Sequence, residues 1–310
     1  MRNQHKFRLL LEWGELKMRS QSEMMDLILG VAKKDERIRA VYLNGSRANP
    51  NAPKDIFMDY DVVYVVTETE SFLKEKGWID VFGERIIMQE PDQLDKMLGR
   101  NVDFSKCYGY LMQFSDGNRI DLHIETLECT LEKFGTDSLT VTLLDKEAVL
   151  PKLPPASDQN YWVEKPSFAQ YFNICNNFWW VAPYCAKGLW RKEILYTINT
   201  MNDSVRDALL QMLSWYVCIG KGFEFSLGKS RKYLNHYLDP NLWNRLMTTF
   251  DLSDYNTAWN ALITSCELFD ETAPAVGEAL GFVYGKEEAA KSLAYIRHIK
   301  ELPQTAEEIY

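Results

Sequence analysis

Between Gln21 and Lys34 apolar residues return at helical spacing. Met24, Leu27, Ile28 and Val31 share one face and charged residues the other, which predicts a helix. The pattern then changes to short runs rich in β-branched and aromatic residues, at about 38–44, 60–66, 82–89, 107–115 and 119–126, with a further strand at 140–144. Asp116-Gly117, joining the two runs before and after it, is a hairpin turn signal. Pro91 suits a first helical turn, so a helix is expected over 92–98. Prolines at 151, 154, 155 and 166 can continue neither a helix nor a central strand, and mark a linker over 151–166. Beyond them strand signals vanish. Ser167 is a fair cap for a long aromatic-rich helix through Phe168, Phe172, Trp179 and Trp180, expected to kink or end at Pro183. Further helices are expected near 189–200, 203–220, 229–237, 241–249, 254–270, 272–280 and 286–299. The pattern predicts an α+β chain: a mixed β-sheet domain with flanking helices over 18–150, then an all-α C-terminal domain over 167–310.

Composition narrows the class of protein. With 310 residues, 46% of them hydrophobic and 25% charged, the chain can bury a sizeable core in each half. No apolar run approaches the ~20 residues needed to cross a bilayer. Glu12 and Glu15 interrupt the short apolar stretch after the basic start, so no secretion signal is expected. Six scattered cysteines (Cys107, Cys129, Cys175, Cys185, Cys218 and Cys266) without metal-finger spacing imply reduced thiols and a cytoplasmic protein. His5, His236 and His298 have no zinc-type spacing either. Net charge is -9, divided as -6 over residues 1–150 and -3 over 151–310. Neither half offers the basic surface that nucleic acid demands, whereas an acidic surface attracts cationic ligands.

The candidate chemistry lies in RAVYLNGSRANPNAPKDIFMDYDVVYVV, residues 39–66. An apolar strand ends in the turn Gly45-Ser46-Arg47, and a second strand opens with Asp59-Tyr60-Asp61. Side chains two apart on a strand point to one face, so Asp59 and Asp61 present both carboxylates to one spot. Like charges held that close call for a cation between them, and oxygen-only ligands favour magnesium over zinc. Glycine lets backbone amides approach phosphate oxygens, and Ser46 adds a hydroxyl donor. In RIDLHIE, Asp121, His123 and Glu125 share one strand face opposite Ile120, Leu122 and Ile124. If that strand joins the same sheet, Asp121 completes a three-carboxylate site able to hold two metal ions.

A Gly-Ser turn, an Asp-x-Asp strand and a later single Asp resemble the nucleotidyltransferase superfamily typified by DNA polymerase β. LNGSRANPNAPKDIFMDYDVVY, RIDLHIE, WWVAPYCAKGLWRKE and LGKSRKYLNHYL together resemble the aminoglycoside 6-adenylyltransferases, from about Met18 to near the C-terminus. Residues 1–17 precede that resemblance and read as an N-terminal extension. The resemblance implies a nucleotidyltransferase catalytic domain over 18–150 and a helical substrate-binding domain over 167–310. It implies transfer of AMP from ATP to the 6-hydroxyl of streptomycin, with Asp59, Asp61 and Asp121 as magnesium ligands. Ser46 and the Arg47 amide would contact the phosphates. The Arg47 guanidinium would reach the same oxygens or pair with Asp55.

Candidates in the helical half are more scattered. Lys187 and Gly188 precede Trp190 and Glu193, which helical spacing places near one face. A carboxylate beside an indole suits a cationic sugar. By the resemblance Glu193 is the candidate general base, with Glu125 and His123 its rivals. Lys229 and Lys232, three apart on an expected helix, either neutralise pyrophosphate as it leaves or form a solvated basic face, and Lys187 is a further candidate for binding the nucleotide. Asn177, one turn after Asn173, is expected either to meet polar ligand groups or to cap neighbouring structure. The expected partners are ATP and an aminoglycoside, with no nucleic acid, no membrane and a monomeric chain. Two other readings remain open from the residues: a nucleotidyltransferase acting on another small molecule, a protein or RNA, and an inactive nucleotide-binding module.

Overall fold

A computed structural model of the chain describes residues 17–310; the expected extension over 1–17 lies outside them except for Lys17. Two compact units divide at Asn160 and Tyr161, inside the proline-rich stretch.

The first unit opens with α1 (Gln21–Lys34), whose capping box joins Ser20 to Glu23 and satisfies two otherwise orphaned amides. Six strands follow: β1 (Ile38–Asn44), β2 (Tyr60–Val66), β3 (Arg85–Gln89), β4 (Cys107–Phe114), β5 (Arg119–Thr126) and β6 (Val141–Asp145). Short helices α2 (Glu70–Lys74), α3 (Pro91–Met97) and α4 (Leu127–Lys133) lie between them. The sheet order is β3-β4-β5-β2-β1-β6, and β2 with β5 is its parallel pair.

The two faces of the sheet differ. On one, Val41, Val62, Tyr64, Ile120, Leu122 and Ile124 meet Met24 and Ile28 of α1, all at most 1% exposed. Each such aliphatic side chain contributes about 1.5–3 kcal/mol by leaving water. The Tyr64 hydroxyl donates to the Ile28 carbonyl at 2.6 Å, locking α1 onto the strand. The other face is covered only in part, where Ala40, Tyr42, Val63 and Val65 pack with Leu127, Phe134 and Leu150. The rest of that face carries the polar side chains of β2 and β5.

One strand differs from expectation. Residues 82–89 do not form a continuous strand: Lys76–Phe82 winds into a 3-10 turn and β3 starts at Arg85. Ile79 and Phe82, three apart, are both buried by that turn, and Gly83 leaves it at a φ of 116°.

The second unit is all helical. It comprises α5 (Phe168–Trp190), α6 (Ile194–Thr200), α7 (Arg206–Lys221), α8 (Pro240–Thr248), α9 (Tyr255–Leu280) and α10 (Lys286–Glu301), with a π-helical turn over Met201–Val205. Phe178 and Phe269 stack at 3.8 Å in its core. Trp179 is buried there, while Trp180 is 67% exposed.

Three helical expectations need correction. Helix α5 runs through Pro183 to Trp190. Proline removes the amide that would bond to the carbonyl four residues back, and the Ser292 hydroxyl of α10 donates to that Trp179 carbonyl at 3.0 Å instead. Pro274 likewise lies inside α9, so the segments expected at 254–270 and 272–280 are one helix. The helix expected over 229–237 is two 3-10 turns, Lys229–Arg231 and Leu234–His236. Gly228, Ser230 and Arg231 there all have positive φ, a backbone state that no α-helix continues. Among the described residues no helix is long and apolar enough to cross a membrane, and all six cysteines are free.

Candidate active site

The parallel register of β2 and β5 sets Asp61 directly beside Asp121, and the antiparallel register of β1 sets Asn44 beside Asp61. Asp59 stands one residue ahead of β2. One carboxylate oxygen from each of Asp59, Asp61 and Asp121 can be chosen so that all lie within 4.8 Å of one another, and all three side chains are half-buried. Gly45 carries the chain past this cluster at a φ of 72°. A Cβ on it would stand 2.3 Å from Asp61 Oδ2, so both the backbone angle and the space require glycine.

Three carboxylates this close repel, and the chain supplies a counter-charge. Arg119 Nε and one terminal guanidinium nitrogen each donate to an Asp121 oxygen at 2.8 Å, and Nε lies 3.8 Å from Asp59 Oδ2. The hydrogen bond to Asp121 is the main cause that raises the basicity of Arg119, with Asp59 and Asp61 adding to it. The cluster offers oxygen donors alone, without nitrogen or sulfur, and fits a hard divalent cation.

Gly45–Arg47 is a single 3-10 turn after β1. The Arg47 guanidinium turns toward the chain itself. It donates to the carbonyls of Asp59 and Met58 at 2.8 and 2.6 Å, and stacks 3.6 Å over the Tyr60 ring. The expected pair with Asp55 does not form. The guanidinium satisfies two carbonyls where the polar loop returns to β2, and so fixes Asp59 next to the turn.

Farther along β5 the same face carries His123 and Glu125. Gly109 lies opposite His123 on β4, and a Cβ there would come 3.0 Å from the ring. Glu125 is 2% exposed. It pairs with Lys133 of α4 at 2.7 Å and accepts from the hydroxyls of Tyr42 at 3.2 Å and Thr130 at 3.4 Å. Burial, and then the Glu125 charge, push the Tyr42 hydroxyl far above the usual phenol range. Burial opposes the charge of Lys133, but Glu125 outweighs it and raises that amine. Lys133 and Thr130 belong to α4, so Glu125 anchors that helix to the sheet while also lining the cavity beside it.

Two adjoining cavities follow this face. One of about 310 Å³ is lined by Asn44, Gly45, Asp61, Asp121, His123 and Asp137. The next, about 260 Å³, shares Asn44, His123 and Asp137 and reaches Tyr42, Glu125 and Lys133. Arg119, Asn44 and Asp137 are the residues that the sequence reading missed. Arg119 had a signal, a cation two residues before Asp121 on one strand face; Asp137, in a loop after α4, had none.

The remaining candidates belong to the helical unit, and the pairings expected there do not form. Trp190 ends α5 with its ring nitrogen donating to the Leu302 carbonyl at 3.1 Å. Glu193 is exposed ahead of α6, after Lys192 at a φ of 62°, so the two share no helix face. Lys187 lies over the Tyr184 ring, and Asn177 is exposed on α5. Lys229 and Lys232 sit at either end of a 3-10 turn, with Lys232 against Tyr233.

A glycine turn facing carboxylates on neighbouring parallel strands defines a nucleotidyltransferase-type catalytic unit. The chain belongs to the streptomycin adenylyltransferase family, whose profile matches residues 18–299. Curated relatives named aminoglycoside 6-adenylyltransferase include one from Campylobacter jejuni, 42% identical over 86% of this chain and 91% of its own. Another, from Bacillus subtilis, is 39% identical over 86% of this chain and 93% of its own, and one from Staphylococcus aureus is 35% identical over 81% and 89%. A crystal structure of an aminoglycoside 6-adenyltransferase from Bacillus subtilis, 34% identical, aligns over 92% of this chain and 100% of its own with a TM-score of 0.46.

Proposed function

We propose that this protein transfers AMP from ATP to the 6-hydroxyl of streptomycin and releases pyrophosphate, with magnesium at the aspartates. The observation that carries the reading is the convergence of Asp59, Asp61 and Asp121 beside the Gly45 turn. The names of the relatives and the excess negative charge, which suits a polycationic drug, point the same way.

Asp59 and Asp61 would hold the cation that accompanies the triphosphate, and Asp121 would hold a second cation on the acceptor side. Bound there, the ions supply charge neutralisation and a more acidic acceptor hydroxyl. The chain does the rest by position. The Gly45-Ser46 turn donates to phosphate oxygens, and Asn44, His123 and Asp137 shape the space beside Asp121. The acceptor oxygen attacks the α-phosphorus in line, forming a new P–O bond as the bond to the bridging oxygen breaks and pyrophosphate leaves with its electron pair. The proton of the hydroxyl passes to a carboxylate. Glu193 is the candidate by resemblance, since the Glu125 oxygens are already taken. The product carries a bulky anion where the drug had a hydroxyl, which accounts for antibiotic resistance in a cytoplasmic setting.

Purified protein with ATP, magnesium and a panel of aminoglycosides tests this. Pyrophosphate release that requires streptomycin is expected. Release with a different acceptor alone, or with none of the panel, would overturn the assignment.

A further inference from the structure

Arg119 differs from the other arginines near this unit's polar groups. Arg47 is pinned by two backbone carbonyls and a ring. Arg19 is tied to Asp116 and to the Phe82 carbonyl, and is 27% exposed. Arg119 has a side chain 45% exposed, and its partners are Asp121 and Asp59, carboxylates of the acidic cluster itself. Its fork covers both oxygens of Asp121 at 2.8 Å, the oxygens a cation would take. Two parallel donors of this kind also match a phosphate group.

We infer that Arg119 is an exchangeable counter-ion: it holds Asp121 and Asp59 in place before the ligands arrive, yields the Asp121 oxygens to the divalent cation, and then donates to phosphate oxygens of the nucleoside triphosphate. The physical demand is local. Without a cation the three carboxylates need a positive charge to stay within 4.8 Å of one another. With the cation bound, a guanidinium left against the same oxygens would be repelled by it. Half exposure lets the side chain swing without leaving a buried group orphaned. The inference deepens the adenylyltransferase reading and rests on it.

The test separates metal from nucleotide. Mn2+ alone is titrated into wild-type protein, R119Q and R119K and followed by electron paramagnetic resonance; affinity for a non-hydrolysable ATP analogue with magnesium is then measured. R119Q is expected to bind Mn2+ about fivefold more tightly, because one half-exposed ion pair no longer competes. The same variant is expected to bind the ATP analogue about tenfold more weakly, having lost a charge-assisted fork. R119K, which keeps the charge, should recover part of the nucleotide affinity. Unchanged or weaker Mn2+ binding by R119Q overturns the exchange, as does unchanged affinity for the analogue. A wild type that binds no Mn2+ and releases no pyrophosphate would instead remove the adenylyltransferase reading itself.

Discussion

The two faces of β5 hold opposite kinds of side chain at the same depth in one sheet. Ile120, Leu122 and Ile124 are fully buried under the α1 side, while Asp121 and His123 line a cavity one residue away in each direction. The first face contributes stability through apolar burial and contributes nothing chemical. The second collects like charges, which cost stability, and lets one arginine offset part of that cost. A strand of period two can serve both ends because its neighbours point apart. Rigid burial on one side fixes the positions of the charges on the other.

Separate variants should break the two faces separately. The largest effect is expected from Asp61→Asn, with turnover falling about a thousandfold as an oxygen donor in the cluster becomes an amide. Its thermal midpoint should stay the same or rise, since a repelling charge is removed. Pyrophosphate release beside a melting curve checks both halves, and a collapse of the fold would contradict the comparison. Leu122→Ala, on the opposite face, should do the reverse. Denaturant unfolding should show a loss of about 3 kcal/mol, with turnover per folded molecule close to wild type.

Gly109→Ala probes the seam between strands. The added methyl meets the His123 ring at 3.0 Å, so a cost of about 1 kcal/mol is expected from overpacking. Activity should fall about fivefold by displacement of the ring, in line with the penalty for a small misplacement. A variant with wild-type kinetics would show that His123 has no part in shaping the cavity.

The smallest effect concerns pH. Burial disfavours the Asp116 charge, but hydrogen bonds from Arg19 and Asn118 outweigh burial and hold its carboxyl below the usual range. A group with a lowered folded pKa contributes stability above its unfolded value of 3.8 and loses it as pH falls from there toward the folded value. Asp116→Asn should therefore be less stable than wild type at neutral pH. It should also show a shallower fall between about pH 4 and pH 2. Equal slopes in urea unfolding over that range would contradict the assignment.

Much of the first unit is legible in the chain because its signals are local. Strand runs are rich in β-branched and aromatic residues, the acidic pair opens one of them, and Asp116-Gly117 marks the hairpin. Register then does what no local signal states, pairing Asp61 with Asp121 across sixty positions. Arg119 and Asp137 were missed because their roles depend on that pairing and on a loop. The helical unit is less legible. Pro183 reads as a kink or an end of the helix, yet the helix runs on through it, and Ser292, more than a hundred residues on, takes over the carbonyl it strands. The stretch 229–237 reads as helix by composition, but Gly228 and two residues of positive φ turn it elsewhere. A tertiary contact overrides propensity in the first case, and local backbone conformation does so in the second.

Because β5 inserts between β4 and β2, the last acidic partner reaches its place only after the chain has looped through β3 and β4. During synthesis, a nascent polypeptide ending before residue 119 would display Asp59 and Asp61 without either the third carboxylate or the guanidinium that tempers it. The acidic cluster proposed to hold the cation is thereby incomplete until the central strand docks, a long-range step that is slow to form.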